Sequence, residues 1–97
     1  MIPEPNDIIH QSTRLRMMAT LNALGAREML EFNRLKAVLG ISDGNMSTHL
    51  ATLEKAGYIQ ISKDIVGKKT RTQIGLTREG RRAFQEHVSY LRGLLET

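Results

Sequence analysis

The sequence predicts a mainly α-helical domain that carries one small β-hairpin (α+β). Apolar residues recur at helical spacing in four stretches, whereas two runs within residues 59–76 alternate between apolar and polar with a period of two. The length of 97 residues and the apolar fraction of 40% suit one folded domain that spans residues 1–97.

The first third of the chain predicts an arm and two helices. Residues 1–6 contain two prolines and are expected to be irregular. Asp7 is expected to cap a first helix that runs from Asp7 to about Leu24. Glu28–Phe32 is short, and a brief extended segment is one interpretation. A second helix is expected over about Asn33–Leu39.

A sharp turn and a third helix follow. Gly40 suits the left-handed position that ends a helix, and either Ser42 or Asp43 is placed to cap the next helix, about residues 43–56. One face of this helix is apolar, and the opposite face carries small, polar side chains. Such a face suits close approach to a DNA major groove, although an ordinary surface helix is the alternative. The inward stripe is Met46, Leu50 and Leu53.

The alternating region predicts a hairpin with a basic tip. Two runs, Ile59–Ile65 and Thr72–Leu76, are joined by Val66–Thr70, which contains a glycine and two lysines. Seven basic and two acidic side chains lie within residues 63–82, whereas the rest of the chain has seven basic and eight acidic side chains. Clustered positive charge indicates a polyanionic partner, although a merely solubilising face is the alternative.

The last helix is predicted over residues 77–97, with Thr77 as its cap. Its apolar stripe is expected both to fold back on the first helix and to meet another subunit. The first helix has more apolar surface than this core requires, which also indicates a subunit contact. The predicted dimer interface comprises Ile8, Ile9, Phe84, Val88, Leu91 and Leu95.

Taken together, these runs resemble winged helix-turn-helix transcriptional regulators of the small MarR-like and ArsR-like types. The resemblance covers about residues 8–95 and is carried by residues within Phe32–Ser42, Asp43–Ile59, Lys63–Thr72 and Leu76–Arg81. It implies a homodimer on double-stranded DNA, with recognition helices in successive major grooves and with wings on the flanking backbone or minor groove. A dimeric repressor is the expectation at the level of the family.

The residues expected to bind DNA fall in three places. Two cations of the second helix, Arg34 and Lys36, face outward and are expected to reach phosphates. By the resemblance, the recognition helix contributes Asn45, Ser47, Thr48, His49 and Thr52, and the wing, residues 63–72, contributes Lys68, Lys69 and Arg71. His49 borders the apolar stripe, so a packed or capping role competes with a DNA contact.

Other function classes find little support in the sequence. The chain has no cysteine, and its three histidines have no spacing typical of a metal site, so we expect no metal and no cofactor. We find no catalytic constellation and expect no enzyme. No signal peptide or membrane-spanning segment is evident, which fits a cytoplasmic protein. The alternative function is a winged-helix module that binds another protein and not DNA.

Overall fold

The computed structural model describes residues 4–96, which form five helices and a three-stranded antiparallel sheet. The winged helix-turn-helix fold predicted from the sequence is confirmed. In chain order the elements are α1 Asp7–His10, α2 Ser12–Asn22, β1 Leu30–Glu31, α3 Phe32–Leu39, α4 Asp43–Lys55, β2 Ile59–Val66, β3 Lys69–Leu76 and α5 Arg78–Leu95. The sheet has the order β1-β3-β2, and the helical core packs against it.

The predicted first helix is wrong in its continuity and in its cap. Asn6, and not Asp7, caps α1, because its Oδ1 accepts from the backbone N–H groups of Ile8 and Ile9 at 3.0 and 3.1 Å. The chain is then extended at Gln11, whose side chain caps α2. Two polar side chains thus supply two caps, and the helix breaks between them. Of the predicted arm, Met1–Pro3 lie outside the described residues.

The turn between α3 and α4 is built as predicted. Gly40 adopts the left-handed conformation with φ 66° and ψ 37°, and its N–H donates to Lys36 O at 2.8 Å. Of the two candidate caps, Ser42 caps α4, because its Oγ accepts from Asn45 N–H at 3.2 Å. The second candidate, Asp43, is the first residue of α4.

The hairpin is longer and tighter than the sequence indicated. Strands β2 and β3 pair over their full length from Ile59↔Leu76 to Val66↔Lys69, so the turn is the dipeptide Gly67–Lys68. The short segment before α3 does form a strand, β1, which pairs with β3. Ile65 is 77% exposed, because this part of the hairpin extends beyond the core.

One glycine fixes how α5 leaves the sheet. A Cβ at Gly80 would lie 1.9 Å from the carbonyl oxygen of Tyr58, so the first turn of α5 fits against the chain after α4 only without a side chain there. Thr77 caps α5 as predicted, accepting from Gly80 N–H at 2.9 Å, and its hydroxyl donates to Gly57 O at 2.6 Å. These contacts tie α5 to the end of α4.

Candidate nucleic-acid interface

The outer face of α4 is low in profile and accessible. Asn45, Ser47 and Thr48 are exposed, and Thr52 is half-buried. The hydroxyl of Thr48 donates to Gly44 O at 3.0 Å, and that of Thr52 donates to Thr48 O at 3.2 Å. Both hydroxyl protons are therefore used within the helix, and each oxygen presents its remaining lone pair outward. In this arrangement the two threonines offer acceptors and methyl groups.

The predicted cations of the wing differ in their surroundings. Lys68 and Lys69 are exposed, one in the turn and one at the start of β3. Arg71 instead forms a two-point ion pair with Asp64 across the hairpin, with Nε–Oδ1 at 3.1 Å and Nη2–Oδ2 at 2.8 Å. Hydrogen bonding to Arg71 lowers the pKa of Asp64, so the carboxylate stays charged and offsets the guanidinium.

The two predicted cations of α3 also differ in their surroundings. Arg34 is exposed. Lys36 binds the Asp43 carboxylate at 2.5 Å, which links α3 to the first turn of α4. Surface ion pairs of this kind contribute little to stability, but this one leaves the ammonium group of Lys36 paired with a carboxylate. In the described structure, Arg34, Lys68 and Lys69 are thus the more accessible of the predicted cations.

The structure places His49 on the border of the α4 face, half-buried, with its Nδ1 3.1 Å from Nη1 of Arg14. Burial, and then the charge of Arg14, lower the pKa of His49 below its ordinary value of 6.5. Sequence reasoning missed this neighbour, because Arg14 is 35 residues away.

A polar cluster that local sequence patterns do not reveal joins α1 to α5. His87 is 1% exposed, and its Nδ1 accepts the backbone N–H of Asn6 at 3.1 Å. Its Nε2 therefore carries the proton and donates to Nδ1 of His10 at 3.3 Å. The ring of Tyr90 stacks on His87, with centroids 5.7 Å apart. Burial, and then His10, lower the pKa of His87.

The residues predicted for a dimer interface are not equally available. Ile9 and Phe84 are buried within the chain itself, and Ile8, Val88 and Leu91 are half-buried. Leu95 is 84% exposed at the end of α5. Surface that remains for a subunit contact therefore lies mainly toward the end of α5.

Two further observations concern metal sites and membrane spans among the described residues. Within residues 4–96, no three histidine or acidic side chains come together in a way that could hold a metal ion. No helix in that range is long and apolar enough to cross a membrane.

The family of the chain follows from its similarity to known sequences. The sequence model of the winged helix DNA-binding domain matches residues 13–95. The chain belongs to the winged helix DNA-binding domain family. An uncharacterized protein of Methanocaldococcus jannaschii is 35% identical to this winged-helix chain over 81 residues, which cover 84% of the chain and 85% of that protein.

Solved structures share the winged-helix fold. A transcriptional regulator homologue from Pyrococcus horikoshii has a TM-score of 0.84 and 24% identity, over 94% of this chain and 87% of its own. A MarR-family protein of Porphyromonas gingivalis has a TM-score of 0.72 and 20% identity, over 94% and 85%. The M. tuberculosis regulator MOSR, solved in complex with DNA, has a TM-score of 0.72 and 19% identity, over 92% and 61%. At these identities the likeness shows the fold.

Proposed function

We propose that the protein is a sequence-specific, double-stranded DNA-binding transcriptional regulator that acts as a homodimeric repressor. The observation that carries the proposal is the exposed face of α4, which bears short polar side chains, lying in the same domain as a hairpin whose lysines are exposed. Winged-helix family membership and the DNA complex of a protein with the same fold support it.

In this proposal α4 reads base edges. The contacting side chains are Asn45, Ser47, Thr48 and Thr52. An asparagine side chain is suited to paired hydrogen bonds with adenine, and serine and threonine accept from or donate to several bases. Because Thr48 and Thr52 donate to their own helix, they are suited to the amino groups of adenine and cytosine and to the thymine methyl group.

Phosphate contacts are assigned to the exposed cations Arg34, Lys68 and Lys69. Lys36 and Arg71 remain in the proposed interface, but each must exchange a carboxylate partner for a phosphate. These two are therefore expected to contribute less affinity than the exposed cations.

The proposed dimer is a two-fold assembly through α5 and α1. The exposed side chain of Leu95 and the half-buried Val88 and Leu91 support it, since they continue the stripe that begins in the core at Phe84. Sedimentation at micromolar concentration is expected to show a dimer, and Leu91→Glu with Leu95→Glu is expected to shift it to monomer. A wild-type monomer that still binds DNA tightly would remove the dimer from the proposal.

The central experiment is selection of bound duplexes from random DNA. We expect enrichment of a two-fold symmetric site whose half-sites lie about one helical turn apart. Placed across a transcription start, that site should let the protein lower transcription in a purified system. If no sequence is enriched, the proposal fails, and binding to another protein becomes the better interpretation.

A further inference from the structure

The side chain of Arg14 in α2 contacts both α1 and α4. Its Nε donates to the carbonyl oxygen of Ile8 in α1, and its Nη1 lies 3.1 Å from Nδ1 of His49 in α4. Arginine has donors only, so Nδ1 of His49 must be the acceptor of this hydrogen bond. The neutral ring therefore carries its proton on Nε2, and its remaining polar atom is a donor.

The position of His49 along α4 places that donor beside the proposed DNA surface. His49 follows Asn45 by four residues and precedes Thr52 by three, so the three side chains form one row along the flank of the helix. The Met46 and Leu50 stripe is on the inner side of this row, and Thr48 is on the outer side. The half-buried ring of His49 would therefore contact a partner that covers the edge of the α4 face.

We propose that Arg14 is a positioning residue that presents the Nε2–H group of His49 to a backbone phosphate of duplex DNA. This inference rests on the proposed function, because it requires α4 to lie against DNA. A phosphate is the better acceptor than a base edge, since His49 lies on the flank of α4 and a guanidinium stands beside it. Phosphate oxygens accept strong hydrogen bonds from such paired donors.

Electrostatics keep the ring of His49 uncharged. Burial and the adjacent positive charge both disfavour protonation of His49, which leaves it neutral at pH 7. A neutral ring contributes a hydrogen bond and releases no counterion. Loss of His49 should consequently weaken binding without changing its dependence on salt, whereas loss of a cation that contacts a phosphate lowers the salt slope by about one.

The first test measures the ring in the free protein by ¹⁵N NMR. We expect the Nε2–H form in the wild type, and a rise of the His49 pKa in Arg14→Met. Arg16→Met is the matched control, because Arg16 is on the same helix and donates to Leu39 O instead. Finding the proton on Nδ1 in the wild type would overturn the inference.

The second test titrates a selected DNA site and an unrelated duplex. His49→Phe should weaken binding to both about threefold to tenfold, with an unchanged salt slope. His49→Gln, whose amide N–H lies near the position of Nε2, should recover most of the affinity. Arg14→Lys, which retains the charge, should weaken binding in the presence of His49 and have no further effect beside His49→Phe.

Three outcomes would count against it. Equal effects of Arg14→Lys in both backgrounds would assign Arg14 a structural role alone. A loss confined to one base pair would assign His49 to a base edge. A wild-type protein that binds no DNA would remove the proposed function and the phosphate contact together, whereas the NMR test would still decide the arrangement of Arg14 and His49.

Discussion

The outer face of α4 and the hairpin, the two surfaces proposed to meet DNA, use their polar groups in different ways. At the proposed reading positions of α4, Asn45, Ser47, Thr48 and Thr52, the side chains are short and uncharged. The hydroxyls of Thr48 and Thr52 donate to carbonyl oxygens of their own helix. On the hairpin, Lys68 and Lys69 are long, exposed and charged. Short, fixed groups suit the reading of base edges, and flexible charges suit phosphates. Specificity and affinity are therefore proposed to reside on different elements.

Charge pairing within the hairpin sharpens this comparison. The Asp64–Arg71 pair joins β2 to β3 at directly opposite positions. It removes one cation from the free charge of the wing, and it holds the two strands together by a cross-strand contact near the tip. The charge available at the hairpin is therefore smaller than the sequence count suggests, and it is concentrated in the turn.

The largest effect is expected from a charge placed on the α4 face. Thr48→Glu should weaken DNA binding about a hundredfold or more, because a carboxylate would lie unpaired among phosphates and bases. The free energy of unfolding should change by less than about 0.5 kcal/mol, since Thr48 is exposed. DNA titration and thermal melting measure the two quantities.

Thr48→Gln is the matched control for Thr48→Glu, since it has nearly the same size and no charge. It should bind DNA better than Thr48→Glu and change the preference at one base pair. If Thr48→Glu melts and binds as the wild type does, α4 does not read DNA, and the division between the two surfaces fails.

A smaller and less selective effect is expected from the hairpin. Lys68→Ala or Lys69→Ala should weaken binding to all duplexes about threefold to tenfold and lower the salt slope by about one. Lys55→Ala removes an exposed lysine from the last turn of α4. It therefore compares the affinity and the salt slope after loss of one cation on the other surface. The measurement is affinity against salt concentration for a selected and a scrambled duplex. A lysine replacement that alters sequence preference and leaves the slope unchanged would contradict the assignment.

Release of Arg71 from its ion pair with Asp64 should raise the affinity for DNA, the opposite of the lysine replacements. Asp64→Asn removes the carboxylate that offsets the guanidinium, so affinity for every duplex should rise about twofold to fivefold at low salt. The gain should fade as salt increases. Arg71→Gln in the same background should abolish it, and a gain that persists without Arg71 would assign the effect to something other than the released cation.

The smallest effect concerns pH and lies away from both surfaces, at the junction of α1 and α5. The pKa of His87 is lowered in the folded protein, so the unfolded chain binds more protons as pH falls below about 6.5. The stability that neutral His87 contributes is complete above pH 6.5. It is lost as pH falls toward the pKa of His87 in the folded protein, by at most about 1.4 kcal/mol per pH unit.

Thermal melting between pH 7.5 and 5 tests this pH dependence. His87→Asn, which can still accept from Asn6 N–H but does not titrate, should show a flatter profile than the wild type. His10→Asn is the matched control, because His10 lies on the exposed side of the pair. Identical profiles for the wild type and His87→Asn would show that His87 does not titrate with folding.

Local rules in the sequence were sufficient to predict the turn between α3 and α4, the hairpin and the last helix. Gly40, the Ser42 and Thr77 caps, the inward stripe of α4 and the two alternating strands each depend on neighbours within a few residues. The break at Gln11 was missed for a local reason, since Asn6 and Gln11 provide caps that compete with one continuous helix. The sequence predicts a five-residue link, and that length hides the register that a two-residue turn imposes, so the Asp64–Arg71 pair is not evident from the sequence.

What the sequence alone determined is therefore the order of the helices and the hairpin, the buried stripe of α4 and the concentration of positive charge after it. Which polar groups meet depends on the packing of distant elements: Arg14 contacts His49 across 35 positions, and His10 contacts His87 across 77. The physical reason is that periodicity and capping act over one or two turns of chain, whereas these contacts depend on how α1, α2, α4 and α5 pack around a common core.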